Sequence, residues 1–463
     1  MRTVPRNLGL AILLTAFAAS AAVAQSSNAE LPIDGRWDAS LINNGPAVPF
    51  RLDIAGSGPT LKGIFYDGSK PYEETTSASY QDGTLILKSE HYLTTITATL
   101  KNDDLTGNVT LRGPSYHLEY GFEARRHVEE SAVQAQNVPS IAGRWEIPLD
   151  SPSAKGERAF NLIARQNGAY AEVSILRVDG DTGAYSGTYK DGKWVLSHFD
   201  GHRPGVIEVI AKSDGTLQII QHNEALKKAI QGDSPETKTA SASAGYGGAP
   251  AEAVIGDKLI AYRPEVARAK GFPEPDNFDT HTTVRNANEK FAFSFPDADG
   301  KLVSSEDPRF KGKVVLAIVT GTWCPNCHDE ARFLVQLDKK YRDKGLAIVA
   351  LDFEEPEEQG SLARERAFVK QYGVKYTYLI AGAPSEMWEK VPQAVNLNTW
   401  PATIFVGRDG LVKGIHSGFA SQASGEFNSQ LQEEFTAKIE KLLAENVTAE
   451  SASAALSPVK HQQ

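Results

Sequence analysis

Residues 314–334 read Val-Val-Leu-Ala-Ile-Val-Thr-Gly-Thr-Trp-Cys-Pro-Asn-Cys-His-Asp-Glu-Ala-Arg-Phe-Leu. Val314 to Val319 are apolar without a break, the pattern of a strand buried on both faces. Thr320 to Trp323 make a short turn, and Phe333, Leu334, Leu337 and Tyr341 then recur at helical spacing. A buried strand therefore delivers Cys324-Pro325-Asn326-Cys327 to a helix N-terminus. Unpaired N–H groups and the positive end of the helix dipole favour a thiolate there. The thiolate is the nucleophile in thiol–disulfide exchange, and two intervening residues let a second thiol resolve a mixed disulfide formed by the first. Pro325 falls in the first helical turn, where its missing N–H costs little.

Two other uses of the pair compete with exchange. Zinc takes about four ligands, and the chain has two cysteines and no His run at zinc spacing. A structural disulfide over so short a loop would constrain the unfolded chain little. The pattern favours redox exchange, with no metal and no cofactor.

The rest of the chain sets the frame. Its 463 residues suggest about three domains. Residues 1–24 carry Arg2 and Arg6, an apolar stretch from Leu8 to Ala22 and an Ala22-Val23-Ala24 cleavage pattern, so a secretory leader is expected. Its loss takes the formal charge from −10 to −12, which argues against a nucleic-acid partner. A mature protein without a membrane anchor, in a periplasm, is expected. An exported chain whose two cysteines share one motif is not using disulfides as staples.

Ile33-Asp34-Gly35-Arg36-Trp37 recurs as Ile141-Ala142-Gly143-Arg144-Trp145. Each copy continues as short alternating segments with turn pairs: Asp67-Gly68, Asp82-Gly83 and Thr106-Gly107 in the first, Asp179-Gly180, Asp191-Gly192 and Asp214-Gly215 in the second. This reads as two tandem all-β domains, small barrels or sandwiches, over residues 25–130 and 139–270. The Gly-x-Trp opening resembles that of lipocalin-like barrels, where Trp37 and Trp145 would plug the barrel ends, with Arg36 and Arg144 expected over the rings. Residues 231–252 read as a low-complexity insertion, 271–288 as an extended connector and 447–463 as a disordered tail.

Residues 285–446 give strand, Cys-x-x-Cys helix, strand, helix, a Pro-led hairpin and a last helix: an α/β thioredoxin-like order. Gly312-Lys313-Val314-Val315-Leu316, Trp323-Cys324-Pro325-Asn326-Cys327, Glu330 and Trp400-Pro401-Ala402-Thr403-Ile404-Phe405-Val406 resemble the TlpA/ResA-like branch of the thioredoxin superfamily, which are exported thiol–disulfide oxidoreductases. The resemblance implies an attacking Cys324, a resolving Cys327, a cis Pro401 facing them, substrate contact at Trp323 and Trp400, and proton exchange between Glu330 and Cys327. It also implies protein dithiol or disulfide substrates and an upstream thiol electron donor. Ile318 stands where thioredoxin itself has a buried Asp, and Gly321 stands where a peroxiredoxin needs Thr. The expected function is protein-disulfide reduction. The alternatives are a disulfide oxidase, or ligand- or protein-binding β modules with a regulatory or vestigial redox domain. Cys324 is expected to be exposed and Cys327 shielded.

Overall fold

The computed structural model describes residues 33–43, 45–113, 116–129, 137–222, 258–355 and 361–445. The expected leader, the 231–252 insertion and the 447–463 tail lie outside the described residues.

The N-terminal region is β-rich and barrel-like. Between Gly35 and Arg126, nine strands form an antiparallel meander whose first strand, Gly35–Ile42, pairs with its last, Tyr116–Arg126. Alternation sends Trp37, Leu52, Phe65, Leu87, Val109 and Phe122 into one core. A second antiparallel sheet runs from Gly143–Pro148 to Lys258–Ala261. Glu146 and Tyr262 exchange both backbone hydrogen bonds at 2.8 Å, which brings its two ends together. The sheets touch through Phe199, whose ring packs edge-on against Phe50 at 4.8 Å within the first core.

Two expectations about this region need correction. Thr106-Gly107 is no turn; it lies inside the strand Asp104–Gly113, and the chain reverses at Asn102-Asp103, both at positive φ. Gly107 is there because a Cβ would stand 1.9 Å from the Thr97 carbonyl oxygen of the neighbouring strand. The cations over the tryptophans are Arg126, 4.5 Å from the Trp37 ring, and Arg263, 3.7 Å from Trp145, rather than Arg36 and Arg144. Neighbours along a strand face opposite sides of the sheet, so an arginine beside a core tryptophan must point outward. Arg36 accordingly pairs with Asp53, and Arg144 reaches Asn161 and Glu146.

The C-terminal domain is thioredoxin-like. Its five-stranded sheet has the spatial order Thr377–Gly382, Leu346–Phe353, Val314–Thr320, Ala402–Val406, Val412–Ser417. The first three run parallel, Ala402–Val406 runs antiparallel to its neighbour Val314–Thr320, and Val412–Ser417 runs antiparallel to Ala402–Val406. The motif strand Val314–Thr320 is central, and all its residues are buried. Helices Pro325–Tyr341, Ala363–Tyr372 and Glu426–Ala444 cover the sheet. The expected connector is partly built into this domain: Thr283–Val284 pairs with Ala394–Val395, and the Ser417 N–H donates to the Phe278 carbonyl. None of the described helices is long and apolar enough to cross a membrane.

Candidate active site

Cys324 is the N-cap of the motif helix Pro325–Tyr341. Its backbone is extended, its Sγ accepts the Cys327 N–H at 3.3 Å, and Pro325 opens the first turn without a donor to waste. The Cys324 thiol lies 3.5 Å from the Trp400 carbonyl oxygen, and the Trp400–Pro401 bond is cis. The cysteines are not bonded to each other. Burial, then the adjacent Cys324 sulfur, pushes the Cys327 thiol well above its usual range. The two sulfurs thus occupy different environments one turn apart.

The floor beneath them is apolar. Trp323 and Trp400 meet edge to face at 5.1 Å, Phe353 packs on Trp400 at 5.6 Å, and the Trp323 indole N–H donates to the Phe353 carbonyl at 2.9 Å. Gly321 permits this approach, since a Cβ would lie 2.4 Å from the Trp323 ring nitrogen. Trp323 and Trp400 are only 6% and 3% exposed, so in this arrangement neither offers an open surface to a substrate.

Glu330 is fully buried on the same helix. The Thr403 hydroxyl donates to its Oε1, its Oε2 has no hydrogen-bond partner, and burial raises its pKa to about 8. At pH 7 such a carboxyl is mostly the protonated acid and can give a proton, while its ionised fraction can take one.

The redoxin family profile matches residues 286–431. The ResA thiol-disulfide oxidoreductase of Bacillus thuringiensis is 29% identical over 147 residues, covering 32% of this chain and 74% of that protein. The thioredoxin-like protein YneN of Bacillus subtilis is 32% identical over 126 residues, covering 27% of this chain and 68% of its own. A solved thiol:disulfide interchange protein of the thioredoxin family from Chlorobium tepidum TLS is 21% identical, with a TM-score of 0.27, covering 35% of this chain and all of that one. Through its C-terminal domain this chain belongs to the ResA-like thiol–disulfide oxidoreductases.

Both cysteines of this ResA-like domain are covered. Cys324 is 4% exposed and Cys327 1%, so the expected exposure of Cys324 is not found. The β region packs against the motif beside them. Asn326, between the cysteines, donates to the Asp179 carbonyl at 3.0 Å and faces Arg203 at 3.4 Å. Gly180 pairs as a parallel bridge with Phe419, just past the last strand of the redox sheet. Asp181 accepts the Ser421 N–H at 2.6 Å and hydroxyls of Ser421 and Ser424 at 2.8 and 2.5 Å. Lys155 reaches the Asn398 carbonyl at 2.9 Å and Asp179 at 3.0 Å. Burial alone would raise the Asp179 carboxyl, but Lys155 and Arg177 hold it below its usual range.

The first sheet grips the other side of the motif helix. Tyr72 donates to Asp329 at 2.8 Å, and Arg332 pairs with Glu73 at 2.5 Å. Arg364 donates to the His91 carbonyl at 2.6 Å. His328, next to Cys327, is held by Thr322 O and the Tyr372 hydroxyl, both at 2.6 Å, and its ring stacks on Tyr92 at 4.6 Å. Tyr92 in turn stacks on His202 of the second sheet at 4.7 Å. Burial lowers the His202 pKa to about 3 and sets His328 well below the usual imidazole range, so both are neutral at pH 7.

One ligand atom from each of Glu73, His91 and His328 lies within 4.8 Å of the others, a grouping that sequence spacing did not reveal. Both Glu73 oxygens already take donors, from Arg332 and Tyr372 on one side and Gln371 on the other. Both His328 nitrogens are engaged too, leaving only the His91 ring nitrogens without hydrogen bonds. A guanidinium on the sole carboxylate opposes a cation, so the set fits a neutral polar clamp better than a metal centre.

Proposed function

We propose that this chain is an exported, periplasmic protein-disulfide reductase acting through Cys324 and Cys327. The observation that carries the reading is the placement of Cys324 at the helix N-cap, with its sulfur accepting the Cys327 N–H. The Cys324 thiolate attacks one sulfur of a substrate disulfide; a mixed disulfide forms and one substrate thiolate leaves. Cys327 then attacks the Cys324 sulfur, closing the Cys324–Cys327 disulfide and releasing the second substrate thiol. Two electrons have moved to the substrate, and an upstream dithiol donor restores the pair.

Glu330 exchanges a proton with Cys327, taking it through the ionised fraction that a pKa of about 8 leaves near neutral pH, since the buried thiol does not ionise readily without a base. Pro401 shapes the loop whose Trp400 carbonyl meets the Cys324 sulfur. Trp323 and Trp400 form the floor on which a substrate would rest once it is admitted. We assign residues 1–24 to a cleaved leader, 25–130 and 139–270 to two β modules, 285–446 to the redox domain and 447–463 to a tail.

A measured reduction potential tests the direction. A value near the thioredoxin end of the family range, about −270 mV, supports reduction, whereas one near about −120 mV makes the protein an oxidant.

A further inference from the structure

The seam over the cysteines is as fully made as an interior. The hairpin that begins with strand Tyr170–Arg177 turns at Val178-Asp179 and returns through Gly180-Asp181. Its tip is anchored from within the second sheet: the Val178 N–H donates to Glu157 at 2.7 Å, and the Gly183 N–H to Asp181 at 2.9 Å. Its outer edge lies along the redox domain. A Cβ on Gly418 would stand 2.3 Å from the Val178 carbonyl oxygen, and one on Gly180 would stand 2.6 Å from the Asn326 side-chain amide and the Phe419 carbonyl oxygen. Two glycines with positive φ, 128° and 71°, thus face each other across the contact, each leaving room for the opposite backbone. Nothing the size of a polypeptide reaches a sulfur that is 4% exposed beneath this edge.

We propose that the Arg177–Asp181 hairpin is a built-in cap: it fills the groove beside Cys324, and exchange with a protein disulfide requires the seam between the second sheet and the redox domain to open. The inference rests on the redox reading above. The cap is made of the atoms a polypeptide strand would offer, a backbone edge bridged to Phe419 and a carbonyl on Asn326. The contacts at its tip are hydrogen bonds and an ion pair, while Leu176, just before it, packs into the apolar cluster of the redox domain with Phe419. Water replaces the polar contacts when the seam parts, so the main cost of opening is the apolar burial of Leu176 and Ile163. An incoming extended segment carrying the disulfide competes for the same edge, which makes the cap a filter against folded proteins without such a segment.

Alkylation of the reduced full-length chain tests the cap without requiring any catalysis. Iodoacetamide labelling of Cys324 is followed by peptide mass spectrometry at several pH values, so that thiolate fraction and access separate. Gly180→Ala drives a methyl into Asn326 and Phe419, and Lys155→Ala removes the tie to Asn398 and Asp179. Labelling of the wild type should be roughly tenfold slower than that of Gly180→Ala, with Lys155→Ala between them, because only the open fraction reacts. In strong urea the three chains should label alike. If Gly180→Ala does not fold, Lys155→Ala decides. A native wild-type chain that labels as fast as Lys155→Ala, or as fast as the urea-unfolded chain, overturns the cap. The redox reading fails separately, through the reduction potential or a mutant that keeps activity without Cys324.

Discussion

The floor and the cover of the redox pair are built from opposite materials. Below the sulfurs lie Trp323, Trp400, Phe353 and Val319, packed in one apolar cluster. Above them lie Asn326, Asp179, Arg203, Asp181, Ser421 and Ser424, joined by hydrogen bonds and charge. An apolar contact gains from exclusion of water wherever it is formed, whereas a hydrogen bond nets only about 0.5–1.5 kcal/mol because water takes its place. The same burial therefore rests on exclusion of water beneath the cysteines and mainly on polar contacts above them, with Leu176 the apolar exception. A redox site needs that division: a fixed platform to hold sulfur geometry and a removable cover to control who reaches it.

The largest expected effect lies on the platform. Cys324→Ser should abolish disulfide reduction in an insulin-type turbidity assay while leaving the melting temperature of the reduced chain nearly unchanged. Retained activity would place the nucleophile elsewhere.

The cover should respond next. Asp181 is fully buried and receives four donors, from Gly183, Ser421 (two) and Ser424. Asp181→Ala strands them and should cost roughly 3–5 kcal/mol in urea unfolding. If the cover is separable, that loss appears as an early transition of the β region against the redox domain, seen as Cys324 becoming reactive before the global midpoint. A single unchanged transition would merge cover and platform into one unit.

Glu330 sharpens the comparison through pH. Its folded pKa of about 8 lies above the ordinary value of 4.5, so folding favours the protonated form. Its contribution is whole below about pH 4.5 and is lost as pH rises toward about 8, by roughly 2–4 kcal/mol. Glu330→Gln should flatten that part of the stability–pH curve, read as melting temperature against pH relative to wild type. An unchanged slope would mean that Glu330 is solvated.

Smallest is the barrel plug. Arg126→Ala should cost about 1 kcal/mol of stability through its contact with Trp37, while Arg36→Ala, paired on the surface with Asp53, should cost less than half of that. The reverse order would restore the pairing expected from adjacency alone.

These residues also mark what could be read in advance. The strand, the Cys-x-x-Cys turn and the helix are contiguous, so periodicity and one motif suffice to place both sulfurs. The cis-proline loop was legible through its family resemblance. The repeat beginning at Trp37 and Trp145 announced the two sheets because turn chemistry and alternation are local. Arg36 misled because adjacency in sequence is opposition in a strand. Thr106-Gly107 misled because a glycine demanded by a neighbouring strand looks like one demanded by a turn. The cover was illegible: Asn326 meets Asp179 across 147 residues, and Arg332 meets Glu73 across 259. Docking of separate sheets leaves no period and no motif. For the same reason the expectation of an exposed Cys324 followed from the helix alone and failed once the second sheet was in place.

The most direct test of the exchange chemistry is covalent trapping. Reduced Cys327→Ser protein is mixed with a disulfide-bearing polypeptide and resolved without reductant. The account predicts an adduct through Cys324 that accumulates because no resolving thiol remains, and that dithiothreitol dissolves. Absence of the adduct under conditions where wild-type protein reduces the same polypeptide, or an adduct that forms equally in Cys324→Ser, would contradict it.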